Sequence, residues 1–442
     1  MVLCRQRGPD LSARCRPKTP HPHTPALPYP NVRICFISRR FFPTVSGMSV
    51  YAINLIRELA ALGHDVTMIS QYRTDEKGKA IYGGGPPPNV DGVRVIGLES
   101  KGEQSSGDFE RDIDEMVEVA AREHREQGPF DVVHAQYGYP TGLAALMAAE
   151  RLGVPSVVSI QGGDGHWVGD CCSTHREAML AVLGHADALL IGARSFANEV
   201  TERLGTPPER FTIVPGAVDV DRFHPPEDRE PGDLQEPPVF LYHGRIDARK
   251  GALDTLDAFR ALLDEGHDAR LRMSGIGPDA DAAREKIDAL GLSSHAEMTG
   301  AADYADAPAV YREADVFLSP TYAEGFSNTI LEAMATGLPV VSCRAVGVVD
   351  CLTGGEDALL TEPGDTDALA EAMQRLLTDE AVRRRLARAA LAEARTDYAW
   401  STRAEQIAAL YAELKGTAPD TSWTAPTMPP DDCRFRDEPA LL

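Results

Sequence analysis

The sequence has few lysines, a deficit of positive charge and no long apolar run. Seven of its 442 residues are lysine, and the formal net charge is −23 at pH 7. Because free nucleic acid is bound by basic surfaces, we expect no nucleic-acid partner. No run of about 18 apolar residues occurs, so no spanning helix is predicted. The 43% hydrophobic and 25% charged content is typical of a globular protein with two or three domains.

The eight cysteines follow neither the spacing of a disulfide framework nor a Cys-x-x-Cys pair. We therefore expect a reduced, cytoplasmic compartment. Cys171, Cys172 and His175 are the group that most resembles a metal-binding set. Adjacent cysteines suit a tetrahedral ion poorly, so the interpretation favours a structural role for them and no metal.

Strand and helix patterns alternate along most of the chain, which predicts α/β domains with doubly wound parallel sheets. Residues 31–216 form the predicted first domain, and the Pro- and acid-rich residues 217–236 form a linker. Residues 237–397 repeat the alternation as a second domain, and 398–416 predict one amphipathic helix.

The two ends of the chain lack such patterns. Residues 1–30 have basic and Pro/His-rich stretches without the apolar centre of a secretory signal. We expect a disordered extension there, or a segment upstream of the native start, and a disordered tail over 417–442.

The stretch EGFSNTILEAMATGLPVV contains two glutamates on either side of a turn. Glu324 follows a predicted buried strand, Ser327 is placed to cap a helix, and Glu332 lies inside that helix. The N-terminus of a helix offers free backbone N–H groups, which bind phosphate, whereas carboxylates accept hydrogen bonds from hydroxyls. The pattern predicts a pocket for an anionic ligand that carries hydroxyl groups.

The segment GRIDARKG follows another predicted strand and contains two cations. Arg245 and Lys250 are suited to clamping phosphates at the carboxyl end of this strand. The pair Gly275 and Gly277 lacks the third glycine of a dinucleotide fingerprint, so we reject a hydride-transfer enzyme.

These segments, with SGIGP and PTYAEGFSNTILEAMATGLPVVSC, resemble the retaining glycosyltransferases of family 4, which have the GT-B fold. The first half agrees through its P-x-x-S-G loop, RELAALGHDVTMIS, DVVHAQ and VPGAVDVDRFHP, so the resemblance covers roughly residues 31–415. It implies two Rossmann-like domains that face each other across a cleft. It also implies a final helix that crosses back to the first domain.

The resemblance implies transfer of a sugar from a nucleotide-diphosphate donor to a hydroxyl acceptor, with retention and without a metal or cofactor. Arg245, Lys250 and Glu324 would be the catalytic residues, with the two cations on the diphosphate and the glutamate on the donor sugar. The implied substrate-binding residues are Gly47, Gly325, Phe326, Ser327, Asn328, Glu332, His134, Gln161 and Asp164. The acceptor would be a small molecule or a lipid-linked glycan, so peripheral contact with the inner membrane face stays open.

The sequence departs from the family's pattern at several places. Gln161 stands where many relatives have histidine, and His166 is either its substitute or a structural residue. Asp350 replaces a family glutamate. His134 has either a binding or a packing role, and Arg39 and Arg40 either meet an acceptor phosphate or lie on the surface.

Gln161 also keeps alternative functions open. A non-catalytic nucleotide-sugar-binding or scaffold relative would tolerate its replacement, but would have no reason to keep Arg245, Lys250, Glu324 and Glu332 together. A nucleotide-sugar epimerase of the same fold is a further alternative. A phosphorylase would need a second-domain lysine for pyridoxal phosphate. Lys250 and Lys286 are the lysines of that domain, and Lys250 is already assigned, so the sequence disfavours a phosphorylase.

Overall fold

The structure, a computed structural model, describes residues 30–44, 46–76, 84–426 and 433. These residues form two α/β domains, each built on a parallel sheet, as the sequence predicted. The expectation for residues 1–29 lies outside the described residues. Among the described helices, none is both long and apolar enough to cross a bilayer.

The first domain contains a seven-stranded sheet with the order β3-β2-β1-β4-β5-β6-β7. All its neighbouring strands are parallel. The strands β4 and β5 are buried along their full length, because helices cover both faces of the sheet. The strands are β1 (Arg33–Ser38), β2 (Asp65–Tyr72), β3 (Val93–Glu99), β4 (Val132–Gln136), β5 (Ser156–Ile160), β6 (Ala188–Ile191) and β7 (Phe211–Ile213).

Helices connect these strands across the two faces of the sheet. The first begins after Ser46, whose side chain accepts a hydrogen bond from the backbone N–H of Ser49, and ends before Gly63 at φ 91°. The helices are α1 (Gly47–Ala61), α2 (Lys101–Ser106), α3 (Phe109–Gln127), α4 (Leu143–Leu152), α5 (Gly163–His166), α6 (Ser173–His185) and α7 (Arg194–Leu204).

The second domain contains a six-stranded parallel sheet with the order β10-β9-β8-β11-β12-β13. Its strands are β8 (Val239–His243), β9 (Arg270–Ser274), β10 (Ala296–Gly300), β11 (Val316–Ser319), β12 (Val340–Cys343) and β13 (Ala358–Thr361). Its helices are α8 (Ala252–Asp264), α9 (Ala280–Ala289), α10 (Ala307–Arg312), α11 (Asn328–Ala335), α12 (Thr366–Thr378) and α13 (Glu380–Asp397). In both sheets the strand order reverses beside a central strand, next to β1 and next to β8, which is where such folds bind ligands.

The last helix, α14 (Trp400–Leu414), returns to the first domain as predicted. Trp400, Ala404, Ile407 and Tyr411 lie on one face of this helix and share a hydrophobic core with β1, β2 and α1. The chain crosses between the domains twice, and the two crossings pair through the backbone N–H of Val218 and the carbonyl of Tyr398 at 2.8 Å.

The tail after α14 differs from the expectation of disorder over residues 417–426. Asp420 accepts a hydrogen bond from the His185 ring at 2.9 Å, and its backbone N–H donates to Asp187 at 3.1 Å. Trp423 packs against the core of the first domain. Local polarity suggested disorder, whereas contacts with distant residues hold this part of the tail in place.

Candidate active site

A cavity of about 640 Å³ lies in the cleft between the two domains. Loops that follow β1, β5 and β6 line it on one side, and loops that follow β8, β9 and β11 line it on the other. This position, at the carboxyl ends of parallel strands, is where α/β sheets bind ligands. All the predicted site residues except His134 and Asp164 line this cavity.

Glycines allow the loops of the second domain to meet backbone to backbone. Gly275 has φ +148°, and a Cβ added there would lie 1.7 Å from the carbonyl oxygen of Gly244. Gly251 has φ +69°, and its added Cβ would lie 2.1 Å from the carbonyl oxygen of Pro320. These close approaches position the segment between Gly244 and Gly251, which carries the two predicted cations.

Arg245 and Lys250 both reach the cavity and both face carboxylates. The Lys250 ammonium lies 2.8 Å from a carboxylate oxygen of Glu324 and donates to the carbonyl of Ala323 at 2.9 Å. The Arg245 Nε lies 3.5 Å from Asp247, and each cation's side chain is 32% exposed. A phosphate that approaches Lys250 therefore competes with Glu324 for the same ammonium group.

The N-terminus of α11 opens onto the same cavity, where residues 325–329 form part of its lining. Ser327 occupies the N-cap position, but its side chain makes no capping hydrogen bond and lies 3.2 Å from the Thr329 hydroxyl instead. The expected hydroxyl cap is therefore wrong, although the helix begins where predicted. The first N–H groups of a helix lack intrahelical acceptors, so this end is suited to an anion.

Glu332 lies deeper in the cavity wall, on the first turns of α11. Its carboxylate accepts a hydrogen bond from the Tyr311 hydroxyl at 2.7 Å. Burial raises the pKa of Glu332 to about 7. Burial also lowers the pKa of the neighbouring His243 to about 4, so that its imidazole is uncharged at neutral pH.

The two domains touch around the cavity, and glycines permit the approach. A Cβ added at Gly325 would lie 2.3 Å from the carbonyl oxygen of Gln161. Phe326 fills the space beside Gly192 and Gly216, where an added Cβ would lie 2.8 and 2.7 Å from its atoms. The turn at residues 325–326 of the second domain is therefore in direct contact with the first domain.

Gln161 is held in one orientation by hydrogen bonds among the strand ends. The Gln136 amide donates to the Gln161 side-chain oxygen at 2.7 Å and to the Met48 carbonyl at 2.9 Å. The Ser38 hydroxyl donates to Gln136 at 2.9 Å. This chain connects the ends of β1, β4 and β5, so Gln161 presents a fixed polar group to the cavity.

Two family models match the chain, one on each domain. The model described as "Glycosyl transferase 4-like domain" matches residues 46–217, and "Glycosyl transferases group 1" matches residues 225–393. Together the matches span most of the sequence. The chain belongs to the GT-B glycosyltransferases of group 1.

Curated relatives of this glycosyltransferase are similar over nearly their whole length. The D-inositol 3-phosphate glycosyltransferase of Corynebacterium glutamicum is 25% identical over 394 residues, covering 83% of this chain and 91% of the relative. The glycogen synthase of Mycobacterium tuberculosis is 27% identical over 413 residues, covering 87% and 95%.

Solved structures show the same fold at lower identity. The sucrose-phosphate synthase of Thermosynechococcus elongatus aligns with a TM-score of 0.69 at 23% identity, covering 87% of this chain and 99% of that one. The Anabaena protein HepE, solved in complex with UDP-glucose, aligns with a TM-score of 0.67 at 17% identity, covering 87% and 100%. These likenesses establish the GT-B fold.

The structure places His134 away from the cavity, in the middle of β4 and completely buried. Its ring lies 2.5 Å from the Tyr411 hydroxyl and 2.8 Å from the Ser159 hydroxyl. Burial lowers the pKa of His134 to about 3, so the imidazole is neutral. Of the two alternatives, the packing role agrees with this position, because α14 covers the strand and connects to it through this histidine.

Asp164 is also absent from the cavity lining and is completely buried. Its carboxylate accepts backbone hydrogen bonds from Gly138 at 2.7 Å and Gly162 at 2.8 Å. Asp164 therefore holds the loop that carries Gln161 rather than reaching the cavity itself. His166 lies in the same short helix with its ring 2.9 Å from Glu199, outside the cavity lining, so it does not take the place of the family histidine.

The two arginines after β1 have different environments. Arg39 is buried in an ion pair with Glu103 at 2.9 Å, and Arg73 lies 2.7 Å from the same carboxylate. Arg40 lines the cavity, 3.9 Å from Glu103. Of this pair, only Arg40 is placed to meet a ligand in the cleft.

Asp350 makes a contact between the domains. It accepts hydrogen bonds from the backbone N–H groups of Arg194 at 2.8 Å and Ser195 at 3.2 Å, and from the Ser195 hydroxyl. The carboxylate therefore caps α7 of the first domain from the second domain.

Two tyrosines of the cavity were not predicted from the sequence. Tyr137 is the one non-glycine residue in the described part of the chain with a positive φ, at 86°. Tyr304 accepts a hydrogen bond from Asn54 at 2.9 Å and lies under the Arg222 guanidinium, 4.1 Å from its ring centre. Neither belongs to a recognisable motif, and both enter the cavity from loops distant in sequence.

Proposed function

We propose that this glycosyltransferase transfers a sugar from a nucleoside-diphosphate sugar to a hydroxyl acceptor with retention of the anomeric configuration. The observation that carries the proposal is the grouping of Arg245, Lys250, Glu324 and the α11 N-terminus in one cavity between two domains. HepE, a structural neighbour, is solved with UDP-glucose, which supports the same donor class here.

Arg245 and Lys250 would bind the donor diphosphate and neutralise the charge that develops as the nucleoside diphosphate leaves. The ammonium of Lys250 pairs with Glu324 at 2.8 Å, so a donor phosphate would displace that carboxylate from it. Fixed cations in a cleft lower the barrier by several kcal/mol, because they need no reorganisation as charge develops. No metal ion is needed for this role.

Glu324, freed from part of its ion pair, would accept hydrogen bonds from the hydroxyls of the donor sugar. The backbone N–H groups near residues 325–328 would bind sugar and phosphate oxygens at the end of α11. The reaction would proceed by departure of the diphosphate through an oxocarbenium-like state and attack of the acceptor from the same face. The leaving phosphate oxygen would take the acceptor's proton.

Glu332 would accept hydrogen bonds from the ribose hydroxyls of the nucleotide. Its pKa of about 7 makes this group sensitive to the ligand. Hydroxyl donors favour the carboxylate, so donor binding at pH 7 would release part of a proton.

The first domain would bind the acceptor. Arg40 supplies a cation on that side of the cavity, and Gln161 supplies a fixed polar group. Several curated relatives are named D-inositol 3-phosphate glycosyltransferases, and an acceptor with an anionic group would suit Arg40.

A donor panel tests the proposal. UDP-, GDP-, ADP- and dTDP-sugars are assayed by thermal shift and by slow hydrolysis without acceptor, for wild type and for Arg245→Ala and Lys250→Met. Lys286→Met is the matched control, since this lysine pairs with Asp257 outside the cavity. We expect the sugars of one nucleotide to raise the melting temperature of the wild type and the control and to be hydrolysed slowly by both. The two site variants should show neither effect.

The remaining outcomes separate the alternatives. Binding without hydrolysis or transfer would favour a non-catalytic relative, and conversion of one nucleotide sugar into another would favour an epimerase. Once an acceptor is found, the coupling constant of the anomeric proton in the product, compared with that of the donor, decides retention or inversion.

A further inference from the structure

Three cysteines and one histidine meet on the first domain, away from the cleft. Cys171 and Cys172 precede α6, His175 lies in its first turn, and Cys433 comes from the C-terminal tail. Their ligand atoms all lie within 4.8 Å of one another. His175 and Cys433 are each 1% exposed, and Cys171 and Cys172 are half-buried.

The distances within this group agree with a tetrahedral site. Zinc bonds of about 2.3 Å to sulfur and about 2.0 Å to nitrogen place two sulfurs about 3.8 Å apart, and a sulfur and a nitrogen about 3.5 Å apart. The Cys171 and Cys172 sulfurs are 3.8 Å apart, and the Cys433 sulfur is 3.5 Å from the His175 Nδ1. The Cys171 sulfur, 2.7 Å from this nitrogen, would move outward when an ion enters.

The surroundings also favour thiolates bound to a cation. Cys172 is the N-cap of α6, and its sulfur accepts from the backbone N–H of His175 at 3.4 Å. A helix N-terminus and a backbone N–H both stabilise a thiolate.

We propose that Cys171, Cys172, His175 and Cys433 bind one zinc ion as a structural site that holds the C-terminal tail on the first domain. Binding replaces three thiol protons, which pass to solvent, with three zinc–sulfur bonds, and the neutral imidazole supplies the fourth ligand. Three sulfurs and one nitrogen are soft ligands that select zinc over magnesium or calcium. The proposal departs from the expectation that adjacent cysteines would not form a metal site, because Cys433 from the far end of the chain joins the three ligands that lie close together in sequence.

The site would complete the contacts that the tail already makes. Asp420 meets His185 and Asp187, and Trp423 packs on the first-domain core. Cys433 lies 258 residues from His175 in sequence, so the ion would close a very long loop. The segment that contains Cys171 follows the loop of Gln161 and Trp167, which lines the cleft. Zinc would therefore tie both the tail and the end of this loop to α6.

Metal analysis of the full chain tests the proposal. The protein is expressed in zinc-supplemented medium, purified without chelator and dialysed against zinc-free buffer. We expect about one zinc per chain in wild type and less than about 0.2 in Cys433→Ser and Cys172→Ser. Cys343→Ser, which changes a buried cysteine of the second domain, is the matched control and should keep its zinc.

Two measurements on wild type test the proposal even if a variant fails to fold. Zinc-edge X-ray absorption should show three sulfur ligands and one nitrogen ligand. Hydrogen exchange over residues 417–426 should accelerate on chelation with 1,10-phenanthroline. The proposal is overturned if wild type holds no zinc, if Cys433→Ser keeps as much zinc as wild type, or if the intact mass is lower by two hydrogens because a disulfide has formed.

Discussion

At the scale of single residues, Glu332 has the environment with the most direct consequence for measurement. It is buried beside Tyr311, and burial raises its pKa from the ordinary value of 4.5 to about 7. The folded protein therefore holds this proton more tightly than the unfolded chain between about pH 4.5 and pH 7. Over that range Glu332 makes the protein less stable as pH rises, and above pH 7 the loss is complete.

Replacing Glu332 with glutamine should remove this pH-dependent cost. Glutamine keeps the shape and still accepts from the Tyr311 hydroxyl. We expect Glu332→Gln to be more stable than wild type at pH 8 by up to about 3 kcal/mol, with little difference near pH 4.5. Urea denaturation at both pH values measures this, and an equal difference at the two values would contradict it.

The fold itself does not require a glycine at position 47. A Cβ added there would meet only the Asn328 side chain, at 3.9 Å, which is an ordinary contact. Gly47→Ala should therefore fold with unchanged thermal stability, yet bind the donor at least about tenfold more weakly, because the Cβ enters ligand space.

Gly184→Ala is the control for this substitution, since its Cβ would meet nothing within 4 Å and it lies outside the cavity lining. Thermal shift gives the stability, and calorimetric titration with the nucleotide sugar gives the affinity. Unchanged affinity in Gly47→Ala would remove this residue from the proposed donor site.

At the scale of elements, α14 is as much part of the first domain as the helices that precede it. Its buried face joins the core under β1 and β2, and Tyr411 reaches the buried His134. Lys415, just beyond the helix, pairs with Asp131 at 3.0 Å. The first domain is therefore completed by residues that follow the second domain in sequence.

Ile407 tests this contribution. It is fully buried, so Ile407→Ala leaves a cavity in the first-domain core and should destabilise the protein by about 2 to 5 kcal/mol. Glu405→Ala, on the exposed face of the same helix, should change stability by less than about 0.5 kcal/mol. Urea denaturation of wild type and the two variants measures these stabilities. Similar midpoints for Ile407→Ala and wild type would show that α14 adds little to the core.

At the scale of the whole molecule, the domains meet in a closed arrangement around the cavity. Gly325 and Phe326 press on the first domain, and Asp350 caps α7 across the gap. A carboxylate at a helix N-terminus contributes about 1 kcal/mol, which is enough to shift an equilibrium between open and closed states.

Asp350→Ala should therefore shift the protein without ligand toward a more open form. Small-angle X-ray scattering should give a larger radius of gyration for Asp350→Ala than for wild type. Glu356→Ala, an exposed carboxylate nearby in sequence, should match wild type. Identical scattering from Asp350→Ala and wild type would show that other contacts set the closure.

Much of the fold and part of the candidate site were predictable from the sequence because the information is local. Alternating strand and helix patterns predicted two parallel-sheet domains, the family resemblance implied that the final helix returns to the first domain, and the structure confirms both. Arg245 and Lys250 lie five residues apart in sequence, and Glu324 and Glu332 lie on one turn and the helix that follows it. Strand periodicity and turn residues therefore place each pair after the carboxyl end of its own strand, β8 for the cations and β11 for the glutamates.

The tertiary structure alone decided which polar residues face the cleft and which are covered. His134 lies inside β4 and Asp164 follows β5, close to Gln161 in the fold. The Tyr411 hydroxyl contacts the imidazole of His134, and the backbone N–H of Gly138 donates to the carboxylate of Asp164, so neither side chain faces the cleft. Asp350 reaches α7 and Cys433 reaches His175 across long stretches of chain. Periodicity and turn chemistry act over a few residues, whereas these contacts depend on how distant elements pack. Residue spacing in the sequence therefore could not predict them.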